Sequence, residues 1–379
     1  MLGKQFVILI LDQESKDMKN ILITGGAGFI GIHLSNELVN QGYSVTVLDN
    51  LSPHVHGLDA ERPVGLNPSV KLVIGDVRDV FTINDLVIWS DAIFHFASIG
   101  SADKSLAQIQ ELNDVNNIGT SVLAESVIKN PVKKLILASS MCVYGEGYYS
   151  DSKGNTYQNL TRSLSDLENK QWDFINRSGE FLLPLPCNEL QNPRLDSMYS
   201  ITKFDQEKIC MLVGEAYNIP VVSLRFFNIY GPGQSFESRY SDVLSGFISR
   251  FLNGQPPLVF EDGNQIRDFL YISDAVRVCQ LALEKPSANG HIINVGSGIP
   301  RTILSLAQHF TRLLDPANTY PVITEQFRFK EARHSFADVS KLYELLEFEP
   351  RVSIEEGIQK TIAWLEDPSF VIELKKQLH

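Results

Sequence analysis

From residue 18 onward the apolar positions of this chain fall into short unbroken runs separated by amphipathic stretches. "NILIT" (20–24), "SVTVLD" (44–49), "VKLVIGD" (70–76), "AIFHFAS" (92–98), "KKLILASS" (133–140) and "VVSLRFF" (221–227) predict strands buried on both faces. Between the first two, "IGIHLSNELVNQG" carries Ile30, Leu34 and Leu38 at helical spacing and stops at Gly42. "NNIGTSVLAESVIK" (116–129) and "YSITKFDQEKICMLVGEAY" (199–217) predict further helices. Strand and helix alternating at this interval predict an α/β fold with a doubly wound parallel sheet. The later chain is less regular. Its turns at "YGPGQ", "NGQPP" and "GSGIP" predict a smaller mixed α/β lobe assembled from separate segments. No internal repeat or low-complexity tract interrupts the pattern.

Composition agrees with a large core. The chain has 379 residues, 44% of them apolar and 21% charged, which suits two lobes. With 33 basic against 45 acidic residues the net charge is −12, which argues against nucleic acid and against a basic membrane-surface contact. An anionic ligand must therefore be met by a few placed arginines. Cys142, Cys187, Cys210 and Cys279 are scattered, without a CxxC pair or a cysteine–histidine cluster, so neither a disulfide framework nor a metal site is expected. The expected compartment is the cytoplasm. "FVILIL" (6–11) is too short for a signal core or a membrane span, and residues 1–17 are read as an N-terminal extension, with Met18 opening the folded part.

The first candidate chemistry lies at "TGGAGFIG". Gly25, Gly28 and Gly31 follow a strand and open a helix, which suits a tight turn, close approach of a pyrophosphate, and tight helix–strand packing. Asp49 ends the second strand about twenty residues on, where a carboxylate accepts from an adenosine ribose. The combination predicts a Rossmann-type domain. An acid at Asp49 repels a ribose phosphate, so the expected cofactor is NAD rather than NADP. Asp76 falls after the third strand at the same edge, with a helix cap as its competing role.

The second lies at "ASSMCVYG" (138–145) and "SMYSITK" (197–203). Ser140 arrives where a strand ends, and Tyr199 and Lys203 are four apart on one face of a helix. A phenol near pKa ~10 is a poor base at neutral pH. A lysine ammonium at about 4 Å and an effective dielectric of ~20 supplies roughly 4 kcal/mol, enough to lower the phenol pKa by about three. Ser140 can steady the same substrate oxygen. The serine is read as touching a sugar hydroxyl.

With these motifs in place, residues 18–365 resemble the extended short-chain dehydrogenase/reductases that act on nucleotide sugars. The resemblance rests on "TGGAGFIG", "GDVRD", "HFAS", "NNIGT", "SSMCVYG", "YSITK", "RFFNIYGPGQ", "RDFLYISDA", "NVGSG" and "FRFKEARHSFADVSK". It implies that Ser140, Tyr199 and Lys203 form the catalytic triad. It assigns NAD contacts to Gly25, Gly28, Phe29, Ile30, Gly31, Asp49, Asn50, Asp76, Val77, Ala97, Asn116, Tyr199 and Lys203. Ser98, Met141, Cys142, Asn228, Arg267 and Arg328 fall at substrate positions, the last three against the pyrophosphate of a nucleotide-diphosphate sugar. For Arg267 the alternative is an ion pair with Asp268 or Asp274. The implied domains are a cofactor domain over 18–223, with an insert at about 146–196 and a return segment at about 263–300, and a substrate lobe over 224–262 and 301–379.

Departures from the family narrow the reaction. Members that eliminate water or carbon dioxide carry an acid directly after the catalytic hydroxyl, where this chain has Met141 and Cys142. The expected activity is therefore 4-epimerisation through a transient 4-keto sugar. A dehydratase, or a 3,5-epimerase/reductase using Cys142 as proton carrier, stays open, with Cys142 as a small apolar wall the plainer role. A different class, an NAD-binding regulatory protein without turnover, would not need Ser140, Tyr199 and Lys203 together. The interval between Ser140 and Tyr199 is longer than in ordinary members, and this insert resembles that of dTDP-L-rhamnose 4-epimerase-like proteins. That likeness points to a dTDP-6-deoxyhexose. The insert keeps only Cys187, so no metal is expected there, and a loop of this length is expected to cover the site or mediate assembly. A homodimer is expected through helices beginning near Leu106 and Tyr199, because Ile209, Leu212 and Val213 exceed what one sheet-facing side requires.

Overall fold

Seven strands pair in parallel to form the central sheet: β1 (Asn20–Thr24), β2 (Ser44–Asp49), β3 (Lys71–Ile74), β4 (Ala92–His95), β5 (Lys134–Ser140), β6 (Val221–Phe226) and β7 (His291–Val295). Their spatial order is β7-β6-β5-β4-β1-β2-β3. The computed structural model describes residues 18–57, 61–100, 105–234, 243–314 and 320–366. The expected extension over 1–17 lies outside the described residues.

Period-two alternation divides each strand between two apolar layers. Ile21 and Ile23 of β1, Phe94 of β4, Ile136 of β5 and Leu224 of β6 enter one layer, which packs under helices α1 (Phe29–Asn40) and α5 (Ile272–Glu284). Leu22, Ile93, Leu135 and Leu137 enter the other, under α2 (Val80–Ile88), α3 (Gly119–Lys129) and α4 (Met198–Tyr217). A strand covered on both faces has no solvent side, so it reads as a continuous apolar run.

Two elements differ from the sequence reading. The helix expected over 116–129 starts earlier, at Ile109, and passes through a π-helical turn at Asn113–Ile118 before α3. The π turn has an anchor. Asn116, fully buried, donates to the Ile99 carbonyl (3.1 Å) and to Thr202 Oγ1 (2.9 Å), and its Oδ1 accepts the Ile99 N–H (2.9 Å). The second difference is the insert, which is not a bare loop. Strands Tyr149–Ser150, Thr156–Tyr157 and Leu183–Pro184 form an antiparallel sheet over a cluster of Tyr149, Phe174 and Leu182.

The remaining strands are short and build the smaller lobe. Asn228–Tyr230 pairs with Phe269–Tyr271, Leu258–Val259 with Val322–Ile323, and Ile266–Arg267 lies between Arg301–Thr302 and His334–Ser335. Between β1 and β4 the chain order reverses direction across the sheet, and the crevice outside the carboxyl ends of these strands is where this topology places a ligand.

Candidate active site

The crevice holds a cavity of about 470 Å³. Its floor is the glycine turn between β1 and α1. Gly25 has φ +68°, and a Cβ there would stand 2.6 Å from the Ala97 nitrogen. A Cβ on Gly31 would stand 2.5 Å from Gly26 Cα, so α1 can lie this close to the turn only without side chains. Gly28 caps α1, where a Cβ would stand 3.3 Å from the Gly25 carbonyl oxygen, and the helix N-terminus aims unpaired N–H groups at the cavity. A pyrophosphate fits this cradle.

Asp49 closes one end. Its Oδ2 accepts the Ala27 N–H and its Oδ1 the Leu51 N–H, each at 3.0 Å, which leaves lone pairs for a ribose diol. His56 Nε2 lies 3.8 Å from Asp49 Oδ1 and faces the same cavity; burial lowers the imidazole pKa. Asp76 does not cap a helix. It pairs bidentately with Arg78 (2.8 and 2.7 Å), which holds its carboxyl below the ordinary range, while Asp79 caps α2 through the Phe81 N–H.

At the other end β5 delivers Ser140, whose Oγ accepts the Cys142 N–H at 3.2 Å. Helix α4 starts with a reciprocal box between Ser197 and Ser200, which fixes the turn that carries Tyr199. Tyr199 and Lys203, one turn apart, both line the cavity. Desolvation pushes the Tyr199 phenol above its ordinary pKa, the neighbouring Cys142 thiol adds to this, and the hydrogen bond with Ser140 acts the other way. Burial brings Lys203 down to about 8, and its ammonium donates to Gln206 Oε1 at 2.9 Å. In this arrangement burial is the largest influence on the phenol.

Phe29, Ile30, Asn50, Val77, Ala97, Ser98 and Asn228 line the same cavity as the glycines, Asp49, Asp76 and the triad. Asn116, Met141, Cys142, Arg267 and Arg328 do not appear among its lining residues. Asn116 supports the cavity wall from behind through Ile99. Met141 Sδ lies 3.8 Å from Asn228 Nδ2, and Cys142 acts on both Tyr199 and Lys203. Arg267 pairs with neither Asp268 nor Asp274; it donates to the carbonyls of Ile266, Ala332 and Arg333 and to Glu331. Arg328 is exposed, its guanidinium 5.1 Å from the centre of the Phe260 ring. No insert residue from 146 to 196 is among the cavity's described lining.

Sequence reasoning missed His56 and Gln206. The signals were an imidazole in the segment just after Asp49 and an amide one helical turn beyond Lys203. It also missed the charges that fasten the insert. Arg333, fully buried, bonds Asp173 (2.7 Å), Glu261 (2.7 Å) and Asp262 (2.8 and 2.9 Å), and Arg162 of the insert bonds Glu261 at 2.8 Å.

The sequence profile of the "NAD dependent epimerase/dehydratase family" matches residues 21–164 and 185–296, its gap falling inside the insert. A dTDP-L-rhamnose 4-epimerase of Burkholderia thailandensis is 32% identical over 353 residues, covering 92% of this chain and 95% of that one. A UDP-N-acetyl-alpha-D-glucosaminuronate decarboxylase of Bacillus cytotoxicus is 31% identical, over 92% and 98%. Among solved structures, UDP-N-acetylglucosamine 4-epimerase from Methanobrevibacter ruminantium, in complex with UDP-N-acetylmuramic acid, superposes with a TM-score of 0.75 at 28% identity, over 92% of this chain and 98% of that one.

Proposed function

Because the chain belongs to the NAD dependent epimerase/dehydratase family, an NAD-using family of nucleotide-sugar enzymes, we propose that it is a 4-epimerase acting on a dTDP-6-deoxyhexose such as dTDP-L-rhamnose. The observation that carries the reading is the make-up of the cavity. Ser140, Tyr199 and Lys203 converge at one end, whereas the described carboxylates in its lining, Asp49 and Asp76, stand at the adenosine end. A site with a proton-handling phenol and no nearby acid is equipped to oxidise and re-reduce one carbon, not to expel a hydroxyl.

NAD, when bound, supplies the acceptor and later the donor of the C4 hydrogen. Tyr199, as phenolate, takes the O4 proton as the C4–O4 bond becomes a carbonyl, and returns it when the carbonyl is reduced on the opposite face. Ser140 donates to O4 and holds it against the phenol. Lys203 supplies positive charge beneath both. The glycine turn and Asp49 hold the pyrophosphate and ribose of the cofactor, and Asn228, Arg267 and Arg328 are assigned to the substrate pyrophosphate, with Ser98, Met141 and Cys142 around the sugar. Asn50, Asp76, Val77, Ala97 and Asn116 complete the cofactor assignment.

Similarity to a dTDP-L-rhamnose 4-epimerase over most of both chains supports the dTDP-6-deoxyhexose. The proposed domains are 18–223 with the return segment 263–300 for the cofactor, and 224–262 with 301–379 for the sugar nucleotide. The proposed assembly is a homodimer. The proposed location is the cytoplasm, in keeping with four cysteines that form no disulfide, and no helix among the described residues is long and apolar enough to cross a membrane. One observation favours a second reading: Cys142 lies close enough to influence Tyr199 and Lys203, so a thiol acid at C3 or C5 would have its base at hand.

The test is an NMR assay of C4 inversion across a panel of nucleotide sugars, with Tyr199→Phe and Cys142→Ala beside the native enzyme. Tyr199→Phe keeps its ring and is expected to bind NAD while losing about 10²- to 10⁴-fold in turnover. Cys142→Ala is expected to stay within a few-fold of native. Near-native epimerisation by Tyr199→Phe overturns the first reading, and loss of turnover in Cys142→Ala favours the second.

A further inference from the structure

Lys203 is buried, and so is everything it leans on. Behind its ammonium stands a closed set of fully buried polar side chains: Gln206, Thr120, His95 and Thr24. The donor–acceptor direction at Gln206 is forced. An ammonium only donates, so Gln206 presents Oε1 to Lys203 (2.9 Å) and its Nε2 must donate onward. It does so to Thr120 Oγ1 (2.8 Å) and to the Ala97 carbonyl (3.3 Å). Thr120 Oγ1 donates to the Asn116 carbonyl (2.5 Å) and lies 2.9 Å from His95 Nε2. His95 Nε2 also lies 3.3 Å from Gln206 Nε2, and its Nδ1 lies 2.7 Å from Thr24 Oγ1. Burial and the charge of Lys203 bring His95 down to about 3, so the whole array is neutral.

We propose that Gln206 is a positioning residue for the proton-handling pair: a fixed, neutral acceptor that holds the Lys203 ammonium beneath Tyr199 without cancelling its charge. The inference rests on the reading of Tyr199 and Lys203 given above. The other ionisable groups facing Lys203 fit it. Glu207 and Cys210 share its helix, Cys142 follows β5, and His95 comes from β4. Of these the one carboxylate, Glu207, is committed to Arg225 of β6 through two bonds (2.7 and 3.0 Å), both side chains buried. A carboxylate at position 206 would pair with the ammonium and screen Tyr199 from it. An apolar side chain there would leave the ammonium without its acceptor, favouring the uncharged amine. Either change weakens the field that stabilises the phenolate.

Carbon-13 NMR titration of the NAD-loaded protein labelled at the lysine Cε, with Lys203→Met subtracted, isolates the ionisation of Lys203 without requiring the substrate to be known. Gln206→Glu is expected to raise its midpoint from about 8 by about one pH unit or more, and Gln206→Met to lower it. Thr120→Val, which removes the hydroxyl that orients Gln206 but keeps the shape, is expected to lower it by less. Should Gln206→Glu fail to fold, Gln206→Met and Thr120→Val decide. Midpoints indistinguishable from native in the folded variants overturn the inference. The parent reading stands or falls separately, on turnover by Tyr199→Phe.

Discussion

Lys203 is a side chain whose burial is at odds with stability. Its pKa falls from 10.5 to about 8 because a cation has been taken out of water. The folded state then binds fewer protons than the unfolded state between about pH 8 and 10.5, so this residue's contribution to stability improves as pH rises through that window and is least favourable below it. The penalty near neutrality is about 3 kcal/mol, against about 1 kcal/mol for the one hydrogen bond to Gln206. Lys203→Met is therefore expected to keep or raise the melting temperature at pH 7 while turnover drops at least 10²-fold; a melting temperature more than a few degrees below native contradicts this account. The same shift predicts a pH profile. Turnover should decline above about pH 8 as Lys203 loses its proton, measured as kcat in overlapping buffers. Gly25, Gly31, Tyr199 and Lys203 were legible in the sequence because their relation is local: turns and helix faces are fixed by spacing. Gln206 was hidden because its meaning depends on Thr120 and His95, which arrive from other elements.

Among elements, the strands were the easiest to read and the insert the hardest, for one physical reason. A strand buried on both faces must be apolar throughout, so β4, β5 and β6 announce themselves. The insert is fastened by charge instead, through pairs such as Arg162 with Glu261 that are distant in sequence and leave no periodic trace. Glu261 sits at φ +51°, and its two oxygens divide between Arg162 and Arg333, so a locally unfavourable turn is held by two guanidinium groups. Continuing from there, Arg333 and Ala332 offer their carbonyls to Arg267. The insert thus braces the smaller lobe rather than lining the described cavity. Arg162→Met leaves one Glu261 oxygen buried without its cation and is expected to cost about 3 kcal/mol, read as a lower urea midpoint. Adding Glu261→Gln should restore part of that loss. An unchanged midpoint in the single variant would mean the pair is solvated and the brace lies elsewhere.

At the scale of the whole molecule, sheet order decides where chemistry happens and helix faces decide what is left over. The reversal of strand order between β1 and β4 opens the crevice, and the chain's charge of −12 makes bound arginines the natural partners of a twice-negative pyrophosphate. What is left over is an apolar face. Helix α4 turns Cys210 and Gly214 toward the sheet, yet Leu212 is 63% exposed, and on the helical segments that pack against α4 Leu106, Ile109 and Ile118 are 77%, 46% and 53% exposed. Four large apolar side chains on helices that already pack together exceed the scattered exposure of an ordinary monomer surface. The face is continuous with the helix that carries Tyr199, so a second copy seated on it would also stiffen the turn that holds this residue. Leu212→Asp places a charge on that face without touching the core, and is expected to convert a dimer into a folded monomer with lower turnover. Light scattering on native and variant protein at micromolar concentration decides the matter: a monomeric native chain removes the proposed homodimer, and a dimeric Leu212→Asp moves the interface to another face.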